Sequence, residues 1–315
     1  MQKYHILSLD GGGIRGIITA TLLERLNTHP AIANFLEGVD LIAGTSTGGI
    51  IALGLAKGFS PAELVNLYKE LGPTVFADSL WDNIKDLGTV IGAQYSTQPL
   101  ERELKNFLGE STTLGQLHKK VLVAAFDLDN LRPEPGLRTW KPKLFHNMGQ
   151  DNDGNALAYK VGLYTSAAPT YFPSVDGYID GGVFAANPST CALAQSQDER
   201  VFQDNPSLSD VVLLSLGTGT SLSYIEGKNL DWGIAQWARP LISILLDGVS
   251  GIADYQCRKL LHENYLRLAP VFPPGVTIEM DAVDRIPQML EFAYHVDLAD
   301  TIRWIQQYWL QFKGQ

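Results

Sequence analysis

The sequence predicts an α/β fold: a mostly parallel central sheet flanked by helices, with a helical C-terminal extension. Three observations carry this. Short apolar runs end abruptly at glycine, namely residues 5–9, 39–43 and 211–216. Segments with helical spacing follow the first two of these runs, and strand–glycine–helix units of this kind build a parallel sheet covered on both faces. From Leu230 onward the pattern is mainly helical.

The elements follow in order. Residues 5–9 read as a short buried strand, broken by Gly11, Gly12 and Gly13. Ile14, Ile18, Leu22 and Leu26 then recur every four residues, the spacing of a helix over 14–26. Residues 39–43 form a second buried strand that stops at Gly44, and 48–57 is a helix of small residues closed by Gly58. Ser60-Pro61-Ala62-Glu63 carries the N-cap, first-turn proline and N3 glutamate of the next helix. A helix is expected over 97–107, strands over 121–126 and 144–146, and a helix over 159–167. Tyr178-Ile179 ends a strand at Asp180-Gly181-Gly182, and 211–216 is a further strand before Gly217-Thr218-Gly219.

Composition bounds the function. The chain has 315 residues, 45% hydrophobic and 18% charged, enough to bury a large core. No Ser/Gly/Pro linker divides it, so one catalytic unit is expected over 1–315. Its motif-bearing core covers about 4–220 and its mainly helical extension about 221–315. Lys and Arg total 24 against 34 Asp and Glu, a net charge of −10. Such a chain repels nucleic acid and anionic membrane surfaces on average, and membrane contact requires a local patch. The one dense basic stretch holds Arg132, Arg138, Lys141 and Lys143 among three prolines and reads as a solvated loop. Cys191 and Cys257 match neither a disulfide framework nor a zinc pattern, which points to a reduced compartment. The apolar runs 50–56 and 121–126 are too short to span a bilayer. The first five residues run straight into a strand, so a cytoplasmic protein without a cleaved leader is expected.

Three segments carry chemistry. Gly44-Thr45-Ser46-Thr47-Gly48 is a Gly-x-Ser-x-Gly pattern between a strand and a helix. A serine on that sharp turn has its hydroxyl lifted clear of the sheet, with Gly44 and Gly48 letting backbones approach. Asp10-Gly11-Gly12-Gly13-Ile14-Arg15-Gly16 also follows a strand and opens a helix. It has two readings. Gly11, Gly13 and Gly16 satisfy the dinucleotide fingerprint, with Glu37 or Asp40 as the ribose ligand. Alternatively, consecutive glycine amides cradle an oxyanion, with Arg15 adding positive charge. The serine also needs a proton acceptor. Asp180 stands at a strand end before two glycines. His295 is the candidate for a late-sequence triad histidine, but it lies in a helix-like context.

Together these segments resemble the patatin-like phospholipase family, which is related in fold to the catalytic domain of cytosolic phospholipase. The family pattern is Asp-Gly-Gly-Gly-x-Arg-Gly, Gly-x-Ser-x-Gly and Asp-Gly-Gly/Ala, in the order in which Asp10, Ser46 and Asp180 occur here. Ser166-Ala167-Ala168-Pro169-Thr170-Tyr171-Phe172-Pro173 and Asn187-Pro188 also look like the family. The resemblance covers roughly residues 4–220. It implies a Ser46–Asp180 dyad without histidine and an oxyanion hole made of the Gly11, Gly12 and Gly13 amides, assisted by Arg15. It implies no metal or organic cofactor. The substrates it implies are lipid acyl esters, mainly glycerophospholipids, met through transient contact with a membrane or micelle. In the extension, Leu298, Ile302, Ile305, Trp309 and Phe312 share a helical stripe beside Trp304 and Tyr308, the spacing of a core-facing helix. The apolar run 241–246 is expected to line either an acyl pocket or the core.

Overall fold

The computed structural model describes residues 3–76, 93–134, 136–150, 152–200 and 205–310. Its centre follows from the apolar runs. β1 (Tyr4–Leu9), β2 (Leu41–Thr45), β3 (Lys120–Asp127) and β6 (Val211–Leu216) are buried along nearly their whole length. Strands covered on both faces have no polar side to show, which is why they read as continuous rather than alternating apolar segments. The sheet order is β4-β3-β2-β1-β6-β7, with β5 (Tyr178–Asp180) pairing with β3. β1, β2, β3, β6 and β7 (Tyr265–Leu268) run parallel; β4 (Lys141–His146) and β5 run antiparallel to β3. Leu9 pairs with both Gly44 and Leu216, so the C-terminal ends of β1, β2 and β6 lie level on one edge.

Alternation within each strand feeds two cores. Leu7, Leu9, Ile42, Val123 and Leu214 face one side, packing against α1 (Gly16–Thr28), α2 (Thr47–Lys57) and α3 (Pro61–Val75). Ile6, Leu41, Leu122 and Leu213 face the other, against α7 (Ser189–Ser196) and α8 (Ile234–Leu261). The expected caps form. The Ser60 hydroxyl accepts from the Glu63 amide while Glu63 accepts from the Ser60 amide, and Gly58 closes α2 at φ 106°. α4 (Gln98–Leu108) and α5 (Ala158–Ser166) lie within a residue of their expected bounds. α6 (Gly182–Ala185) follows β5 directly. After β7 come α9 (Ile286–His295), α10 (Ala299–Trp304) and a π-helical turn (Ile305–Leu310).

Two strands differ from their expected bounds. β2 covers Leu41–Thr45 rather than 39–43 and so runs through Gly44. β4 starts at Lys141 rather than Leu144, so the second half of the basic stretch is strand. It is the sheet's exposed outer strand on that side, where lysines cost nothing. Within the mainly helical extension, β7 adds a parallel strand beyond β6.

Candidate active site

The level strand ends converge on one cavity of about 290 Å³. β2 ends at Thr45, and the chain turns so sharply into α2 that Ser46 takes φ 54° and ψ −125°. A non-glycine residue held there is strained, and the surroundings hold it. The Ser46 amide donates to Thr165 Oγ1 (2.7 Å), which in turn donates to the Ala124 carbonyl (2.5 Å). Thr45 Oγ1 donates to the Ala185 carbonyl (2.6 Å). The elbow glycines are required by space. A Cβ on Gly44 would sit 2.2 Å from the Gly48 carbonyl oxygen, and one on Gly48 would sit 2.2 Å from that of Leu9.

Asp180 reaches the same cavity from β5. Its amide donates to the Ala167 carbonyl (3.0 Å), and its Oδ1 accepts from the Gly182 amide (2.7 Å). Gly181 lets this turn pass over β3, since a Cβ there would meet the Ala124 carbonyl oxygen at 2.3 Å. The carboxylate is buried, and burial pushes its pKa up to about 6. The Ser46 hydroxyl and the Gly182 amide oppose that rise by hydrogen bonding to the charged form.

The glycine loop forms the third wall, with one correction to the expected donor set. The Gly11 amide donates to the Ala186 carbonyl (2.9 Å), so it has no hydrogen left for an oxyanion. The Gly12 and Gly13 amides have no acceptor among the described residues. The Arg15 side chain also lines the cavity and touches the Gly12 and Ile278 carbonyls at 3.4 Å. Burial lowers its pKa, against the pull of Asp247 and Glu279, so it is no surface ion pair.

A buried strut that sequence reasoning missed supports the loop. The Arg267 guanidinium on β7 spans both Asp10 oxygens (3.2 and 2.5 Å) and also donates to Ser215 Oγ (2.8 Å) and Ser250 Oγ (3.1 Å). Burial pulls the arginine's pKa down, but the Asp10 carboxylate outweighs this and keeps it protonated. The strut joins β1, β6, β7 and α8 at the root of the glycine loop. Ser166 was noticed only as part of a sequence stretch. Its hydroxyl is buried on the cavity wall without a partner among the described residues.

The remaining candidates fall elsewhere. His295 ends α9 with Nδ1 against the Glu291 carbonyl (2.7 Å), and no histidine lines the cavity among the described residues. Asp40 accepts from the His5 amide (2.8 Å) at the start of β1, the edge opposite the glycine loop, and Glu37 is exposed nearby. A ribose ligand belongs at the C-terminal edge, so the dinucleotide reading loses its acid. Cys191 and Cys257 are free thiols whose pKa values burial raises. Much of the rest of the lining is apolar: Ile50, Leu71, Val75, Phe76 and Phe172 line the cavity, and Leu245 and Leu246 border it from α8. The run 241–246 therefore borders the pocket, and Leu241, Ile244 and Leu245 stay exposed rather than joining a core. No helix among the described residues is long and apolar enough to cross a membrane.

The sequence has relatives among known proteins. The patatin-like phospholipase family model matches residues 7–193. A cGAMP-activated phospholipase of Pseudomonas aeruginosa is 31% identical over 91% of this chain and 84% of its own length. Patatin-17 of Solanum cardiophyllum is 30% identical over 88% of this chain and 78% of its own. Among solved structures, VipD from Legionella pneumophila aligns with 93% of this chain and 67% of that one, at 12% identity and a TM-score of 0.40. The family model takes in the glycine loop, the serine elbow and the Asp-Gly-Gly turn, and this chain belongs to the patatin-like phospholipase family of lipid acyl hydrolases.

Proposed function

We propose that the protein hydrolyses acyl esters of phospholipids through a Ser46–Asp180 dyad and releases free fatty acid. The observation that carries this reading is a buried carboxylate, raised in pKa, facing a strained serine beside two unpartnered amides. Asp180 accepts the hydroxyl proton as Ser46 Oγ attacks the ester carbonyl carbon. The carbonyl oxygen becomes an oxyanion, which the Gly12 and Gly13 amides receive with the charge of Arg15 close by. Collapse of the intermediate expels the alcohol, which takes the proton back from Asp180, and leaves an acyl group on Ser46. Asp180 then deprotonates a water that attacks the acyl carbon, and Ser46 Oγ leaves with that proton as the fatty acid is released. A carboxylate near pKa 6 is a better base than one near 4 and is still ionised at neutral pH. The apolar lining of the cavity suits an acyl chain.

The test is a phospholipid panel with mass spectrometry of the released products. Ser46→Ala and Asp180→Asn are each expected to lower turnover by roughly 10³-fold or more, because dyad members act as a unit. His295→Ala is expected to leave it unchanged. Activity that survives Asp180→Asn and disappears in His295→Ala would replace the dyad with a histidine-based mechanism.

One observation favours a second reading, regulation by a small ligand. α8 is tied to the glycine loop through Ser250, Arg267 and Asp10, so displacing this helix acts on the proposed oxyanion donors. The Pseudomonas relative is named for activation by cGAMP. Turnover measured with and without cGAMP tests this, and equal rates would remove that ligand as the activator.

A further inference from the structure

The cavity opens on the edge of the sheet where two projections carry exposed apolar side chains. The first is the β3–β4 connection. Ala124 is level with Thr45, so Phe126 and Asp127 already extend past the elbow, and the connection rises further from there. It holds its own shape. The Asn130 amide donates to the Thr139 carbonyl (3.1 Å), Asn130 Nδ2 donates to that of Leu137 (2.9 Å), and Arg138 pairs with Asp129. The described residues of this arm expose Leu131 by 74%, Leu137 by 54% and Trp140 by 69%. The second projection is the N-terminal half of α8. Ser250 lies level with Asp10, and Leu261 packs lower against the sheet, so residues 234–249 overhang the edge by about 24 Å at the usual helical rise.

The ground between them is continuous. Phe126 at the base of the arm packs on Phe184 of α6, at 6.2 Å between ring centroids. The neighbouring Val183 is exposed and lines the cavity, and a Cβ on Gly182 would touch Leu246 at 3.2 Å. Exposed apolar surface thus borders the mouth from the arm to α8. Charge selects the occupant. Arg132 and Lys141 flank the exposed leucines and Trp140, and neither has an ion-pair partner among the described residues. Among the described residues of the arm these two cations stand against one unpaired carboxylate, Glu134, which leaves the patch locally positive. The whole chain carries −10, so two whole copies repel each other while this patch attracts an anionic surface.

We propose that this edge is a docking surface for an anionic phospholipid bilayer. The arm seats Leu131, Leu137 and Trp140 at the headgroup boundary, Arg132 and Lys141 meet lipid phosphates, and α8 lies alongside. The cavity mouth then faces the leaflet, so an acyl ester reaches Ser46 without crossing bulk water. This orientation rests on the lipid-hydrolase reading; the docking does not.

The test separates binding from catalysis. Vesicle co-sedimentation uses Ser46→Ala, so that no lipid is consumed, on phosphatidylcholine vesicles with and without phosphatidylglycerol. The Arg132→Gln/Lys141→Gln pair is expected to lose roughly 25-fold in affinity for the anionic vesicles, about fivefold per cation, and little for the neutral ones. Leu137→Ser/Trp140→Ser is expected to weaken binding to both by about tenfold or more. With Ser46 intact, both pairs are expected to turn over a dissolved short-chain ester at the wild-type rate. Vesicle affinity unchanged in both pairs would overturn the proposal. So would a wild-type dimer that Leu137→Ser/Trp140→Ser turns into a monomer with vesicle binding intact, since the patch would then join two copies. If the wild type leaves the dissolved ester untouched both with and without cGAMP but shows the expected vesicle pattern, the hydrolase reading fails and the docking surface stands.

Discussion

Asp180 concentrates the conflict between stability and chemistry at a single residue. Burial raises its pKa to about 6, above the 3.9 or so of an unfolded aspartate. The unfolded chain therefore loses this proton first as pH rises. The favourable contribution of the protonated group is fully present below about pH 4 and is lost as pH rises through about 6. At pH 8 the ionised group costs the fold on the order of 3 kcal/mol. Asp180→Asn removes that cost and keeps an oxygen for the Gly182 amide. Thermal melts at pH 8 are expected to show the inactive variant melting above the wild type, with the gap closing towards pH 4. The wild-type rate is expected to rise with pH through a midpoint near 6 and then level off, because only the carboxylate accepts the Ser46 proton. A rate that falls over the same range would make the protonated form the working one.

At the scale of elements, the glycine loop is only as rigid as its anchor on β7. Arg267→Met leaves the Asp10 carboxylate buried without its cation and is expected to cost about 3–5 kcal/mol. Adding Asp10→Asn removes the stranded charge, so the double variant is expected to recover part of that stability. Turnover of a dissolved ester should stay low in both, since neither holds the loop. Recovery of turnover along with stability would mean that the strut only supports the fold. None of this was legible in the sequence. β7 has four residues with an arginine in the middle, which argues against a buried strand until its partner, 257 residues away, is known. The same distance problem hid the use of the Gly11 amide, whose acceptor, Ala186, is supplied by the far end of the motif-bearing region. The central strands were legible because burial on both faces leaves an unbroken apolar run. The elbow was legible because only glycine fits where the Gly44 and Gly48 backbones cross.

Over the whole molecule, the last elements pack against the first. Leu298, Ile305 and Trp309 are buried in the larger core and Ile302 packs against it, as the helical stripe predicts; Phe312 lies outside the described residues. Trp309 is fully buried. It stacks on His5 at 4.6 Å, meets Phe35 edge-on at 6.0 Å and donates its indole N–H to the Phe35 carbonyl (3.3 Å). An indole that could have served a membrane interface is instead the clasp between the chain's two ends. His5 is the second residue of β1, whereas Asp10 follows its end, so the clasp and the cavity lie at opposite edges of the sheet. Stability and catalysis should therefore separate. Trp309→Ala is expected to cost about 3–5 kcal/mol, because a cavity of that size cannot fully collapse. Turnover of a dissolved ester per folded molecule, measured well below the melting transition, is expected to match the wild type. Arg267→Met loses a similar amount of stability and is expected to lose turnover as well. Melting curves and turnover measured side by side on the two variants separate the clasp from the strut, and a parallel loss of turnover in Trp309→Ala would show that the edge carrying Ser46 depends on the edge that closes the chain.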